Sequence, residues 1–404
     1  MIGRVFAREL LDSRGNPTVE CELQTNKGVF RAMVPSGAST GTHEALELRD
    51  GGNRYHGQGV QKAVKNVNDV LAPLVLGKEP RQALDQKLLQ ADGTPNKRRL
   101  GANAILSISM AISRAAAADQ EKTLYEYVSR LSGRKPSMPA IAANVVNGGM
   151  HAGNALKIQE YLIIPKGASS FTDGARMVSE TYHELKKILK EKYGPEAINV
   201  GDEGGFAPPL SDNCEPFELI SQAIEECGYA KKIFFGLDAA ATNFYEKNKY
   251  VLDKEYSGRE LVDYYLGLAK TYPILWVEDP FAEDDFESFA ALTSKAKFAV
   301  VGDDLVVTNP KRIKTAIQKK ACNCLLVKLN QIGTVSEAIN AVKTARSAGW
   351  TTMVSHRSGE TEDAFLADFA VGVGSEYVKI GAPARSDRTA KYNQLMRLEE
   401  QLTA

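Results

Sequence analysis

A chain of 404 residues, 43% hydrophobic and 25% charged, can bury a large core and is long enough for two domains. Its 50 Lys plus Arg balance 50 Asp plus Glu, so no excess positive field exists to hold nucleic acid or an anionic membrane, and charged partners must be met locally. The scattered cysteines Cys21, Cys214, Cys227, Cys322 and Cys324 make no even disulfide framework and fit buried thiols in a reducing compartment. The opening residues carry Arg4, Arg8 and Glu9 and no apolar stretch of signal-peptide length, which points to the cytoplasm.

In chain order, the first stretch reads as an antiparallel meander: Arg4 to Leu11, the turn Ser13 to Pro17, Thr18 to Leu23, the turn Asn26 to Gly28, and Val29 to Val34. Val60, Ala63, Val64, Val67, Val70 and Leu71 follow the spacing of an amphipathic helix. The apolar run Ala102 to Ala118 is interrupted by Arg114 and is shorter than the ~20 residues a bilayer needs, so it predicts a buried helix. A junction rich in Gly, Lys and Pro follows, Ser132 to Pro139, and divides the chain into an N-terminal α+β domain, 1–133, and a second domain, 134–404.

Beyond that junction strand-like and helical patterns alternate. Marked positions, Asp238, Glu278, Asp303, Lys328, His356 and Lys379, recur at intervals of 40, 25, 25, 28 and 23 residues, each long enough for one strand and one helix. Such repetition predicts an α/β fold, a C-terminal β/α barrel, with the marked side chains at the strand ends where barrel active sites lie. Ile141 to Val146 and Ile158 to Ile164 are joined by a link too short for a crossover helix. They should pair antiparallel and precede two helices, across Asp173 to Tyr193 and Glu215 to Gly228, giving a ββαα(βα)6 barrel.

The apolar runs FFGLD, ILWVED and AVVGDD end on Asp238, Glu278 and Asp303. Charge is costly to desolvate at a strand end, and three carboxylates there supply hard oxygen ligands for Mg2+. Asp304, Glu283, Asp284 and Asp285 read instead as caps or surface charges. Lys328 closes the next strand, CLLVK, where burial and positive neighbours would favour the neutral amine of a general base. Arg357 and Ser358, in the glycine-bounded loop Ser355 to Gly359, form a clamp suited to a phosphate or carboxylate.

The strings Asp12 to Glu20, Pro35 to Gly41, Gly201 to Gly205, Glu278 to Asp285, Ser355 to Asp363 and Gly381 to Arg385 together resemble the enolase family, in family order and almost from end to end. The resemblance implies the reversible dehydration of 2-phospho-D-glycerate to phosphoenolpyruvate in glycolysis and gluconeogenesis, with two Mg2+ stabilising an enediolate intermediate. It assigns Asp238, Glu278 and Asp303 to the first ion and Ser39, on a lid loop of the first domain, to the second. By the same resemblance Lys328 is the general base and Glu203 the general acid with Glu160 beside it. His151, His356, Arg357, Ser358 and Lys379 position the substrate. It also favours a homodimer. The competing possibility, a relative that abstracts a proton beside the carboxylate of a non-phosphorylated acid, is disfavoured by the Arg357 clamp and the Ser39 loop.

Overall fold

The computed structural model describes residues 1–37 and 41–403. Strands β1 (Ile2–Leu11), β2 (Pro17–Thr25) and β3 (Gly28–Met33) form the antiparallel meander in the order β1-β2-β3. Its first turn closes through Asp12, whose carboxylate accepts from Arg14 N at 2.8 Å and Asn16 N at 2.9 Å, while Gly15 takes a φ of 75°. The helix Ala102–Asp119 lies across the sheet and buries nearly every residue, so its apolar composition serves packing. Among the described residues no helix is long and apolar enough to cross a membrane.

One expected core position faces water. Val70 is 39% exposed, whereas Val67 and Leu71 are fully buried. The cause is a π-helical turn at Val67–Leu71, which widens the helix by a residue and rotates Leu71 inward in place of Val70. In the same turn Asn68 exchanges hydrogen bonds with the backbone of Ala7, at 2.7 and 3.1 Å, and so satisfies part of the open edge of β1.

The second half is a closed eight-stranded barrel, built from β4 (Ala140–Asn147), β5 (Glu160–Ile164), β6 (Phe234–Asp238), β10 (Ile274–Glu278), β11 (Ala299–Gly302), β12 (Cys324–Val327), β13 (Thr351–Ser355) and β14 (Tyr377–Lys379). β5 is antiparallel to both β4 and β6, and the other neighbours are parallel. Helices Phe171–Tyr193 and Glu215–Glu226 separate β5 from β6, as the ββαα reading requires. Between β6 and β10 lies a small antiparallel sheet of β7 (Tyr245–Glu246), β8 (Lys249–Val251) and β9 (Glu255–Tyr256); its tight turn at Lys247 and Asn248 uses positive φ at both residues.

In the barrel interior Gly236 of β6 pairs in register with Trp276 of β10. A Cβ at Gly236 would sit 2.5 Å from the indole, which is 1% exposed and packed on the Tyr377 ring, so glycine is what leaves room for tryptophan. The next register pair but one is Asp238 opposite Glu278, so this packing also sets the spacing of two site carboxylates. Gly236→Ala should therefore destabilise the fold by about 1–3 kcal/mol through overpacking. A urea midpoint unchanged by that substitution would contradict this account.

Candidate active site

The barrel brings the marked charges to one mouth. Asp238, Glu278 and Lys379 are the last residues of β6, β10 and β14; Asp303, Lys328 and His356 each follow a strand by one residue. Glu160 opens the antiparallel β5, so its side chain reaches the same end. These residues, with His151, Glu203, Arg357 and Ser358, are brought together; all of them but Glu278 line a single pocket, and Glu278 lies at its floor against Lys379. Ser39 lies outside the described residues. Its stalk is nonetheless placed, because Ser36 and Gly359 exchange backbone hydrogen bonds at 2.7 and 2.9 Å, hooking the first domain onto the loop after β13.

Lys379 is the centre of charge. Its Nζ donates to Asp238 Oδ2 at 2.9 Å and to both oxygens of Glu278 at 2.8 and 2.9 Å, and it lies 3.2 Å from Glu160 Oε2, all of these groups being buried. Burial would strip the ammonium of its proton, but Asp238, Glu160 and Glu278 hold it well above the usual lysine range. Glu278 is pushed far up by its own burial and then by the charge of Asp238.

Lys328 departs from expectation. Its neighbours were expected to be positive and its amine neutral, but Nζ donates to Asp303 Oδ2, and that carboxylate, working against burial, raises the lysine above its ordinary value. The carboxylate of Asp303, one strand away, is the nearest charge, and attraction over hydrogen-bond distance outweighs Arg357 and Lys379. Asp303 accepts in addition from Gln331 Nε2 at 2.8 Å.

On the opposite wall Glu160 and Glu203 lie with His151, ligand atoms within 4.8 Å of one another. Burial raises Glu160, and the charge of Glu203 raises it further; Glu203 is instead held well below the carboxylate range, against its own burial, by His356 and His151, then Arg388 and Lys379. Asn144 Nδ2 donates to Glu203 Oε2 at 3.0 Å. Their surroundings thus push the proton affinities of the two carboxyls apart, Glu160 upward and Glu203 downward. Arg357 is engaged by a partner that sequence reasoning missed: Nη1 and Nη2 reach the carboxylate of Glu44 at 2.9 and 3.2 Å, across the two domains. Glu44 gave no signal because it follows the Ser39 loop in a stretch without periodicity.

Asp279 was missed as well. It is buried with φ 40°, and its carboxylate accepts from the backbone N–H groups of Asp303 and Asp304 at 2.9 and 2.6 Å, fixing the turn after β11. Its position directly after Glu278 was the available signal. Asp285 does cap a helix, accepting from Ser288 N at 3.1 Å, whereas Asp304 is no surface charge: it lines the pocket, and burial together with Asp303 pushes it to about 7.

A divalent cation fits this donor set. Six carboxylates line the pocket against three cationic side chains, and Asp238 and Glu278 converge on a single ammonium, so hard oxygen donors exceed the charge available to neutralise them. Asp279, Asp303 and Asp304 form a second cluster of acidic oxygens within 4.8 Å of one another. Removing the one buried cation shared by three carboxylates, Lys379→Met, should cost about 3–5 kcal/mol of stability in chelator. Added Mg2+ should recover part of that loss in thermal melting, and a variant as stable as the parent without metal would contradict the charge balance described.

Two comparisons bear on what such a pocket does. Residues 2–128 match the family model "Enolase, N-terminal domain", and residues 135–404 match "Enolase, C-terminal TIM barrel domain". Proteins named "Enolase" from Thermococcus kodakarensis and Thermococcus gammatolerans are each 55% identical over 410 residues, spanning 99% of this chain and 95% of theirs.

Proposed function

The chain belongs to the enolase family, and from that membership together with the pocket we infer how its residues divide the work of interconverting 2-phospho-D-glycerate and phosphoenolpyruvate. The activity is that of a carbon–oxygen lyase, phosphopyruvate hydratase, in glycolysis. The observation that carries the assignment of roles is the convergence of a lysine and a carboxylate pair on opposite walls of one pocket whose floor is acidic.

Two Mg2+ ions are the proposed cofactors, one on Asp238, Glu278 and Asp303, the other with Ser39 among its ligands. Bound there, they would neutralise the substrate carboxylate, whose charge rises as the proton beside it leaves. Lys328 Nζ accepts that C2 proton. It becomes basic once Asp303 has another partner, since Asp303 is what keeps the ammonium protonated. Glu203 delivers a proton to the departing C3 hydroxyl, with Glu160 beside it in the same cluster. Arg357, Ser358, His151, His356 and Lys379 hold the phosphate and carboxylate, with Arg357 exchanging Glu44 for the anion. We put the boundary between the two domains at 133/134, within the gap between the two family matches, and propose a cytoplasmic location and a homodimer on the strength of the family membership.

Purified protein with Mg2+ should generate the absorbance of phosphoenolpyruvate from 2-phosphoglycerate, and chelator should abolish it. Lys328→Ala should stop exchange of the C2 proton with solvent, whereas Glu203→Gln should spare that exchange and block hydroxyl loss, each lowering kcat roughly 10²–10⁴-fold. Equal loss of both steps in both variants would contradict the division of roles.

A further inference from the structure

Arg388 is fully buried, yet it belongs to no string that marked the site in sequence. It stands in the first turn of the last helix, Ser386–Thr403, and its guanidinium reaches the loop that follows β13. Nη1 lies 2.5 Å from His356 Nδ1 and 2.6 Å from the carbonyl of Arg357. Nη2 donates to the carbonyls of Ser358 at 2.7 Å and Asp202 at 3.0 Å, and Nε pairs with Asp387 at 2.9 Å.

We propose that Arg388 is a positioning residue that fixes His356 as the neutral tautomer with its proton on Nε2, directed at Glu203. A guanidinium carries only donors and keeps its charge at any physiological pH, so the ring nitrogen facing it must accept. Nδ1 then holds a lone pair, and the remaining ring proton belongs to Nε2. That nitrogen is 3.6 Å from Glu203 Oε2 and has no hydrogen-bond partner among the described residues, which leaves its N–H free to meet the pocket. The guanidinium cannot turn away to admit a proton on Nδ1, because the carbonyls of Arg357, Ser358 and Asp202 hold both of its terminal nitrogens.

The surroundings of the ring agree. Glu203 is the negative group that faces it, while Arg388, Lys379 and Lys328 are positive. Burial first, and then those cations, hold the imidazole well below its ordinary range in spite of Glu203. Gly381 makes the close approach possible: with φ 76°, a Cβ there would lie 3.2 Å from His356 Cε1, 3.0 Å from Arg388 Cδ and 2.6 Å from the carbonyl of Glu203. The inference rests on the placing of His356 in the catalytic pocket. In that role His356 offers an N–H donor and no net charge, so the proton needed for hydroxyl departure stays with the Glu160 and Glu203 pair.

The experiment is 15N NMR of the full-length protein labelled at its five histidines, with the His356 signal identified by its absence in His356→Gln. The unsubstituted protein should show a protonated-type Nε2 and an unprotonated-type Nδ1 that do not titrate between about pH 5 and 8. An imidazolium signal, or a proton on Nδ1, anywhere in that window overturns the proposal, and this reading needs no turnover and no change at Arg388. In Arg388→Met the ring should begin to titrate in the window and kcat should fall about 10–100-fold, the usual cost of losing a partner that orients a histidine. Arg388→Lys, which keeps a donor for Nδ1, should restore the unprotonated signal and part of the rate. A folded Arg388→Met with an unchanged His356 spectrum would also overturn the role. Retained NMR behaviour in a protein inactive on 2-phosphoglycerate would instead count against the catalytic reading of the pocket.

Discussion

A single buried ammonium holds the catalytic end of the barrel together. Lys379 closes β14, and its three carboxylate partners come from β5, β6 and β10, so one cation ties strands from opposite sides of the cylinder. Without it Glu160, Asp238 and Glu278 would face one another in a medium that cannot screen them. The same crowding makes the pocket receptive to a divalent ion, because carboxylates in excess of their cations are what such an ion relieves. Stability of the strand ends and affinity for metal thus draw on one pool of negative charge.

The first domain reaches this pocket through two different kinds of contact. Backbone hydrogen bonds between Ser36 and Gly359 set where the Ser39 loop begins, and they are independent of side-chain identity apart from the glycine. A Cβ at Gly359 would fall 2.4 Å from Ser36 Oγ and 2.7 Å from its carbonyl, so only glycine allows the two chains to meet. The second contact is electrostatic, Glu44 on Arg357. A guanidinium already neutralised inside the protein can be passed to a substrate anion without first being desolvated, which is a form of preorganisation.

Protons are sorted across the pocket by burial and by neighbours. Lys328 and Asp303 on one wall, Glu160 and Glu203 on the other, are each pushed apart in proton affinity by the partner beside them. Groups that differ in this way are suited to opposite roles in a reaction that removes a proton at one carbon and a hydroxyl at the next. Arg388 extends that sorting to His356 by supplying donors where the ring would otherwise be free to choose a tautomer.

Much of this was legible along the chain because strand-end charge is a local pattern: an apolar run ending in Asp, Glu or Lys declares both a strand and its functional end. The intervals between such ends gave the barrel, and the shortness of the link before Glu160 gave the antiparallel β5. What the chain alone could not reveal were partners set by three-dimensional proximity. Val70 turned outward because a π-helical turn changed the helical phase, an event invisible to a fixed spacing rule. Glu44, Asp279 and Arg388 carry no periodic signal, and each matters through what lies across from it: Arg357, the turn at Asp303 and His356 respectively. Lys328 shows the distinction most clearly. Sequence placed it correctly at the end of β12, but its charge state follows from a distance to Asp303, and the strength of that attraction is decided by separation and burial, which exist only once the chain has folded.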